Sequence, residues 1–453
     1  MGPSSEEVAA ELGVRLGGTV HDLHRLSGGA SRLTSSFDLE VPATSGSRRP
    51  LIVQMDRAEG SRGSRVGVDR ALLVAARAAG VPVPEVVAAG GGEGDPLGAG
   101  WLVVERLEGE TIARRILRDN EWAEARERLV PQCAAALAAI HRIDPQTIDG
   151  LPPEDPFADP LPWLDTARVV RPMLELGARW LASHRPARGR SVTVHGDFRL
   201  GNLLVGPDGL RGVLDWELAH LGDAAEDIGW LCAPAWRFGG AGEVGGLGSL
   251  EELVGAYEAA GGEAMARERV HWWQVYATVK WATICVLQAA SHLSGATRSV
   301  ELATIGRREC ESEWDLCTLL GLEPTGPAPE GVGREHAVAP FGRPTAAELV
   351  EAVREYLEDS VMGRTEGSAH FEARVARNAL GIVERELLLG PDVAAAHESR
   401  LRDLGVHDDA TLAAALRAGE FDDDLERVAG VLAASARDQL LVANPTYLPE
   451  GAA

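Results

Sequence analysis

Lysine occurs once in the 453 residues, at Lys280, and arginine supplies the rest of the 44 basic side chains. Any mechanism that needs a lysine elsewhere is closed, including a GxxxxGK[ST] phosphate loop, which has no matching stretch in the chain. Cysteine is scarce too. The five, at 133, 232, 285, 310 and 317, show no CxxC spacing, which argues against disulfides and structural zinc. No uncharged apolar run reaches the roughly 18 to 20 residues that span a bilayer. Lys280 and His292 interrupt the nearest candidate, residues 277–297. The start, MGPSSEEVAAEL, carries acid where a signal peptide carries base and lacks Ser or Thr at position 6 for myristoylation, so a cytoplasmic address is expected. A basic patch is also missing. With 68 acidic against 44 basic residues and a formal charge of -24, the chain repels nucleic-acid backbones and anionic membranes, and neither is an expected partner.

What is present supports a large core. A 45% hydrophobic share and this length fit two to four domains. Residues 20–56 alternate like hairpin strands around the turns SGGAS and TSGSRR, a helix is expected from Val68 to Ala79, and WLVVERL reads as a strand. Near residue 108 strands give way to helices, with apolar residues at three- and four-residue steps over Trp122–His141 and Leu164–Ser183 and through 249–320. EPTGPAPEGVGREHAVAPFGRP, residues 323–344, is Pro- and Gly-rich without periodicity and reads as a linker. Thr345 and Glu348 form a capping-box pattern that opens a helical bundle. The expected divisions are an N-lobe at 1–108, a helical C-lobe at 109–322, the linker at 323–344 and a helical domain at 345–453.

VHGDFRLGNLLV, residues 194–205, breaks an apolar run with His195, Asp197, Arg199 and Asn202 between two short β segments, SVTV before it and GVLDW after it. Rigid strands holding the ends of a polar loop are how catalytic side chains are made to converge. Oxygens from Asn202 and Asp215 suit Mg²⁺, which keeps water and phosphate oxygens in its octahedron. Asp197 remains free to accept a proton, the division of labour that phosphoryl transfer needs.

HGDFRLGNLLV followed by VLDWE resembles the HxDxxxxN-plus-Asp signature of the aminoglycoside phosphotransferase and choline kinase-like branch of the protein-kinase-like fold, and GDAAEDIGWL, residues 222–231, continues the match. The resemblance covers about residues 20 to 320. Within that family the chain looks like bacterial phosphotransferases related to the kinase part of acyl-CoA dehydrogenase fusion proteins, and the last hundred residues resemble a helical domain of unknown function. The resemblance implies an α+β chain with a two-lobe protein-kinase-like fold, a small antiparallel-sheet N-lobe and a mostly helical C-lobe, followed by a separate all-α bundle. It implies ATP and Mg²⁺ as cofactors and a small-molecule hydroxyl as acceptor. Residue by residue, Asp197 takes the catalytic position, His195 braces the loop, Asn202 and Asp215 are metal ligands, and Glu217 holds an acidic position that serves a second metal or the acceptor. In the N-lobe, Ser27, Gly28, Gly29 and Ser31 stand where a phosphate-covering turn belongs, Ile52 lies against adenine, and Glu105 to Leu107 form the hinge.

Position 54 departs from the family. A phosphate-gripping Lys or Arg is expected there, and the chain has Gln54. The grip is then missing or supplied by Arg57, Arg62 or Arg65, and the matching helix acid, Asp69, is expected to lack an ion partner. A nucleotide-binding pseudokinase or scaffold acting through its helical tail is the alternative that Gln54 favours. A two-metal phosphoesterase, suggested by HGD and GN, needs further His and Asp ligands that the sequence does not cluster. Asp223 and Asp227 read as caps or anchors of the next helix. Trp272, Trp273, Tyr276 and Trp281 are core or an acceptor wall, and Arg307, Arg308 and Glu311 a salt-bridged face or an anion clamp. His370, Arg374 and Asn378, near Glu384 and Arg385, are an internal network or a stripe that docks on a partner or the kinase body, and the C-terminal helical domain is where a protein partner or oligomer contact is expected.

Overall fold

Alternation in the N-terminal strands decides which side of the first sheet is apolar and which is left for polar work. The computed structural model describes residues 4–26, 32–41, 47–56, 65–92, 94–98, 100–155, 158–168, 170–187, 189–329 and 344–449. Strands β1 (Thr19–Arg25), β2 (Arg32–Glu40), β3 (Arg48–Asp56), β4 (Val86–Gly90) and β5 (Trp101–Glu105) form one antiparallel sheet in the order β1-β2-β3-β5-β4. Phe37, Leu39, Leu51, Val53 and Met55 are buried and pack with Val8 and Leu12 of helix α1 (Ser5–Leu16). The β2–β3 register sets Arg32, Thr34 and Ser36 opposite Asp56, Gln54 and Ile52. Because side chains alternate, these six share the face turned away from α1. Helix α1 itself went unread in the sequence, although Ser4 and Glu7 cap it reciprocally. Helix α2 (Val66–Ala78) follows, with Asp69 buried in its first turn.

The chain groups into two compact units. One is Met1–Pro156 with Ala187–Val270, the other Phe157–Pro186 with His271–Ala453. In the first unit, two further ribbons frame the polar loop. Strand β6 (Ser191–Val194) pairs with β9 (His220–Asp223), and β7 (Leu203–Gly206) with β8 (Gly209–Val213), all antiparallel. Helices at Ala123–Ile140, Ala224–Leu231 and Leu250–Ala259 complete the unit.

The second unit is helical throughout its described residues. The single helix expected over Leu164–Ser183 is two, Leu161–Ala167 and Pro172–Ser183. Arg168 at φ 54 ends the first, and Pro172 can begin a helix but not continue one. Residues on both sides of the expected linker at 323–344 fall in this unit. Leu174, Trp272, Tyr276, Val279 and Leu316 share one apolar cluster with Leu401, Leu412, Leu416, Val428 and Leu432 from the C-terminal helices. Of the expected linker, residues 330–343 lie outside the described residues. Its first part is bound to the last long helix, Leu425–Ala443: Thr325 N donates to Gly430 O at 3.2 Å, and Arg437 donates to the carbonyls of Gly326 and Pro327, each at 2.9 Å. Among the described residues no helix is long and apolar enough to cross a membrane.

Leu12 is fully buried between α1 and the sheet. Replacing it with alanine removes apolar contact and leaves a cavity, so Leu12→Ala is expected to lower unfolding free energy by about 2–5 kcal/mol. Chemical denaturation followed through the N-terminal unit measures this.

Candidate active site

The polar loop from His195 to Asn202 connects β6 to β7, and the segment 214–219 connects β8 to β9. Since β6 pairs with β9 and β7 with β8, the two connections run side by side. Leu214 N donates to Asn202 O at 2.9 Å, and His195 Nε2 meets Leu214 O at 3.0 Å. His195 is fully buried, and Asp197 N donates to its Nδ1 at 3.2 Å. These partners assign the Nε2–H tautomer, and burial holds the ring below its ordinary pKa against the opposing charges of Asp227 and Asp197. His195 is therefore a neutral brace. Gly196 has φ 78, and a Cβ there would lie 2.4 Å from Leu218 O, so only glycine fits between the two loops.

Asp227 does more than anchor its own helix. Its carboxylate, without solvent exposure, accepts from His195 N and Gly196 N, both at 2.8 Å, and meets His141 Nε2 at 3.1 Å. His141 Nδ1 in turn contacts Tyr257 Oη at 2.9 Å. Burial works against the charge on Asp227, yet the bond and charge of His141, with His195 and its N–H, hold its pKa below the ordinary value. Asp223 is the helix cap, accepting from Ala225 N at 2.9 Å. His141 was absent from the sequence reading. It stands at the end of an apolar helix, where nothing local distinguishes it from a boundary residue.

Three donors converge on Asp197. Asn202 Nδ2 reaches Oδ2 at 2.6 Å, while Trp230 Nε1 and Arg199 Nε reach Oδ1 at 2.8 and 3.0 Å. Arg199 also lies over the Trp236 ring, 4.7 Å from its centroid. With Nδ2 so engaged, Oδ1 of Asn202 is the atom a cation would take. Asp215 has φ 64, a conformation rare outside glycine and costly in strain. Its surface is open on one side, but surrounding protein and then the charges of Glu217 and Asp197 push its pKa up to about 7, with Arg199 and Arg32 opposing. His195, Asp197, Asn202, Asp215 and Glu217 are thus one neighbourhood. Among the described residues no group of three His, Cys, Asp or Glu side chains is placed to hold a metal ion.

On the sheet, Ile52 and Gln54 lie half-buried on the face opposite α1, across from Ser36 and Thr34. Glu105 ends β5 and accepts from Glu85 N at 3.4 Å, and Leu107 lies against Gly212, where a Cβ would come within 3.0 Å of it. Ser27, Gly28, Gly29 and Ser31, with Arg57 and Arg62, lie outside the described residues. Arg65 donates from Nη2 to Ala219 O at 3.0 Å, tying the start of α2 to the 214–219 segment. The expectation that Asp69 lacks an ion partner is wrong: Arg32 Nη2 stands 2.6 Å from Asp69 Oδ2. The cation comes from β2, the strand beside Gln54's own. Strand parity places Arg32 on Gln54's face, and that signal went unused.

In the second unit the remaining candidates have contacts within the chain. Trp272 and Tyr276 are buried core with Trp273 packed against them, and Lys280 is 1% exposed. Arg308 pairs with Glu311 and Arg307 with Glu386. His370 Nδ1 meets Met362 O, Arg377 donates to Asn378 Oδ1, Arg374 covers the Phe371 ring, Glu384 pairs with Arg354, and Arg385 donates to the carbonyls of Val442 and Ala443.

A family model described as Phosphotransferase enzyme family matches residues 22–273, more than half of the chain. The chain belongs to this phosphotransferase family. Membership makes it an enzyme of the phosphotransferase class. A second model, described as Domain of unknown function (DUF6285), matches residues 363–447. The phosphotransferase is 30% identical over 234 residues to viomycin phosphotransferase of Streptomyces vinaceus, covering 48% of this chain and 74% of that protein. It is 44% identical over 63 residues to acyl-CoA dehydrogenase family member 10 of Mus musculus, covering 14% of this chain and only 6% of the mouse protein. A solved structure provisionally described as an aminoglycoside phosphotransferase from Ralstonia eutropha shares the fold, with TM-score 0.54 and 19% identity over 70% of this chain and 98% of that one. The kinase-like fold of an antiparallel sheet followed by helices, with a further helical C-terminal region, is the one the sequence implied.

Asp215 holds its proton to about pH 7 when folded, against an ordinary 3.8. Between these values the unfolded chain gives up the proton first, so stability falls as pH rises. In metal-free buffer, Asp215→Asn is expected to raise the unfolding midpoint near pH 8, and the gain to vanish below about pH 4. Thermal scans across pH measure both arms.

Proposed function

We propose that the chain is an ATP- and Mg²⁺-dependent phosphotransferase that moves the γ-phosphoryl group to a hydroxyl of a small molecule, with a hydroxyacyl compound or its CoA thioester as acceptor. The observation that carries this reading is the carboxylate of Asp197, fixed by Asn202, Trp230 and Arg199 beside the acidic pair Asp215 and Glu217. A carboxylate held by three donors can orient an incoming alcohol and accept its proton late in the transfer. The donor set fits Mg²⁺: hard oxygens from Asp215 and Asn202, with Glu217 near, and a crowd of negative charge that a dication would relieve. When bound, the metal supplies neutralisation of phosphate charge. In the same reading Ile52 and the Glu105–Leu107 backbone receive adenine, the SGGAS turn covers the phosphates, and the enzyme works in the cytoplasm. Partial likeness to an acyl-CoA dehydrogenase family protein supports the acyl acceptor, and likeness to viomycin phosphotransferase makes an antibiotic hydroxyl the comparison to run.

A nucleotide-binding scaffold is the second reading, favoured by Gln54. ATP consumption against a panel of hydroxyacyl compounds, their CoA thioesters and viomycin, set beside nucleotide-induced thermal shift, separates the two; binding without turnover supports the scaffold. With an acceptor found, Asp197→Asn is expected to lower kcat by about 10²- to 10⁴-fold with KM for ATP little changed. Steady-state kinetics reads this, and an unaltered kcat would remove Asp197 from the chemistry.

A further inference from the structure

The polar face of the first sheet holds an ion cluster that the functional reading leaves unused. Arg32 is 13% exposed as a side chain and is clamped from two sides, Nε to Asp56 Oδ1 at 3.1 Å and Nη2 to Asp69 Oδ2 at 2.6 Å. Asp56 is its cross-strand partner on β3, and Asp69 comes from α2. Arg65 lies 3.9 Å from the other oxygen of Asp69, so two arginines balance two carboxylates. An Arg guanidinium is planar and carries five donors. Among the described residues the two clamps engage Nε and Nη2, and Nη1 makes no contact of this kind.

That cluster lies next to the reacting groups. The charge of Arg32 is felt at Asp215 and that of Arg65 at Glu217. Asp197, Asp215 and Glu217 repel a polyphosphate, and Arg199 is already committed to Asp197. A nucleotide with several negative charges therefore needs a further fixed cation on this side, and Arg32 is one already dehydrated and aimed by its neighbours, so little ordering remains to be done on binding.

We infer that Arg32 grips the phosphates of the nucleotide, with Asp69 and Asp56 as positioning residues that present its guanidinium, so that a basic side chain at position 54 is unnecessary. This rests on the nucleotide-binding reading above, and it removes the ground on which Gln54 favoured a silent scaffold.

Calorimetric titration of wild type, R32Q and R32Q/Q54K with ATP, ADP and adenosine in the presence of Mg²⁺ tests it, with thermal scans checking the fold. R32Q is expected to bind ATP about 10- to 100-fold more weakly, the range of a charged hydrogen bond. Adenosine binding should stay within about 2-fold, because a phosphate grip contributes nothing to the base. R32Q/Q54K is expected to recover much of the ATP affinity, since it returns a cation to the same sheet face. ATP binding by R32Q equal to wild type, or equal losses for ATP and adenosine, overturns the inference. If R32Q does not fold, R32K, which keeps the charge for both carboxylates but lacks the planar fork, is read instead. It should lose about 10-fold for ATP and nothing for adenosine, and unchanged ATP binding overturns the inference. Wild-type protein that binds neither ATP nor ADP fails the nucleotide reading itself, a result visible before any variant is made.

Discussion

One ionised carboxylate sealed from water, Asp227, organises the candidate site. Taking a charge out of water costs several kcal/mol unless its oxygens are met by donors, and Asp227 meets that demand with two backbone N–H groups and an imidazole. The donors come from two places in the chain: the consecutive backbone N–H groups of His195 and Gly196 after β6, and His141, which caps the end of the helix Ala123–Ile140 and is itself held by Tyr257. Moving any of these elements strands a buried charge, so the loop that carries Asp197 has one low-energy position. Packing alone tolerates small slides; a buried anion with three directional bonds does not.

Around this fixed point the site is built against its own stability. Asp215 adopts a left-handed backbone and stands among like charges, and both terms weaken the empty fold. Such expense at a functional centre is met by the well-packed elements that flank it, here the ribbons β6–β9 and β7–β8 and the helices over them.

Much of this was readable from residues alone, and the limits have physical causes. The candidate site drew notice because polar residues interrupting an apolar run are costly unless they act, and the sheet was legible because period-two alternation has few other meanings. Asp227 was misread as a helix anchor because three residues into a helix is where acids commonly serve the helix end, and only tertiary contact shows its carboxylate reaching back to Gly196. Arg32 was overlooked because one charge at a strand start looks like solvated surface; its partner Asp69 is 37 positions away in sequence. The shared core of the second unit was invisible for a more general reason. An amphipathic helix announces that one face will be buried but not against what, so the sequence does not show that helices before and after the Pro- and Gly-rich stretch share apolar contacts.

That shared core bears on how the chain matures. Trp272, Tyr276, Val279 and Leu316 share their core with Leu412, Leu416, Val428 and Leu432, which leave the ribosome after them. Until those final helices emerge, the earlier ones must hold an oily surface in water, the condition in which nascent chains stick to one another or engage chaperones. A chain cut before Leu412 would lack the partners that cover this apolar surface.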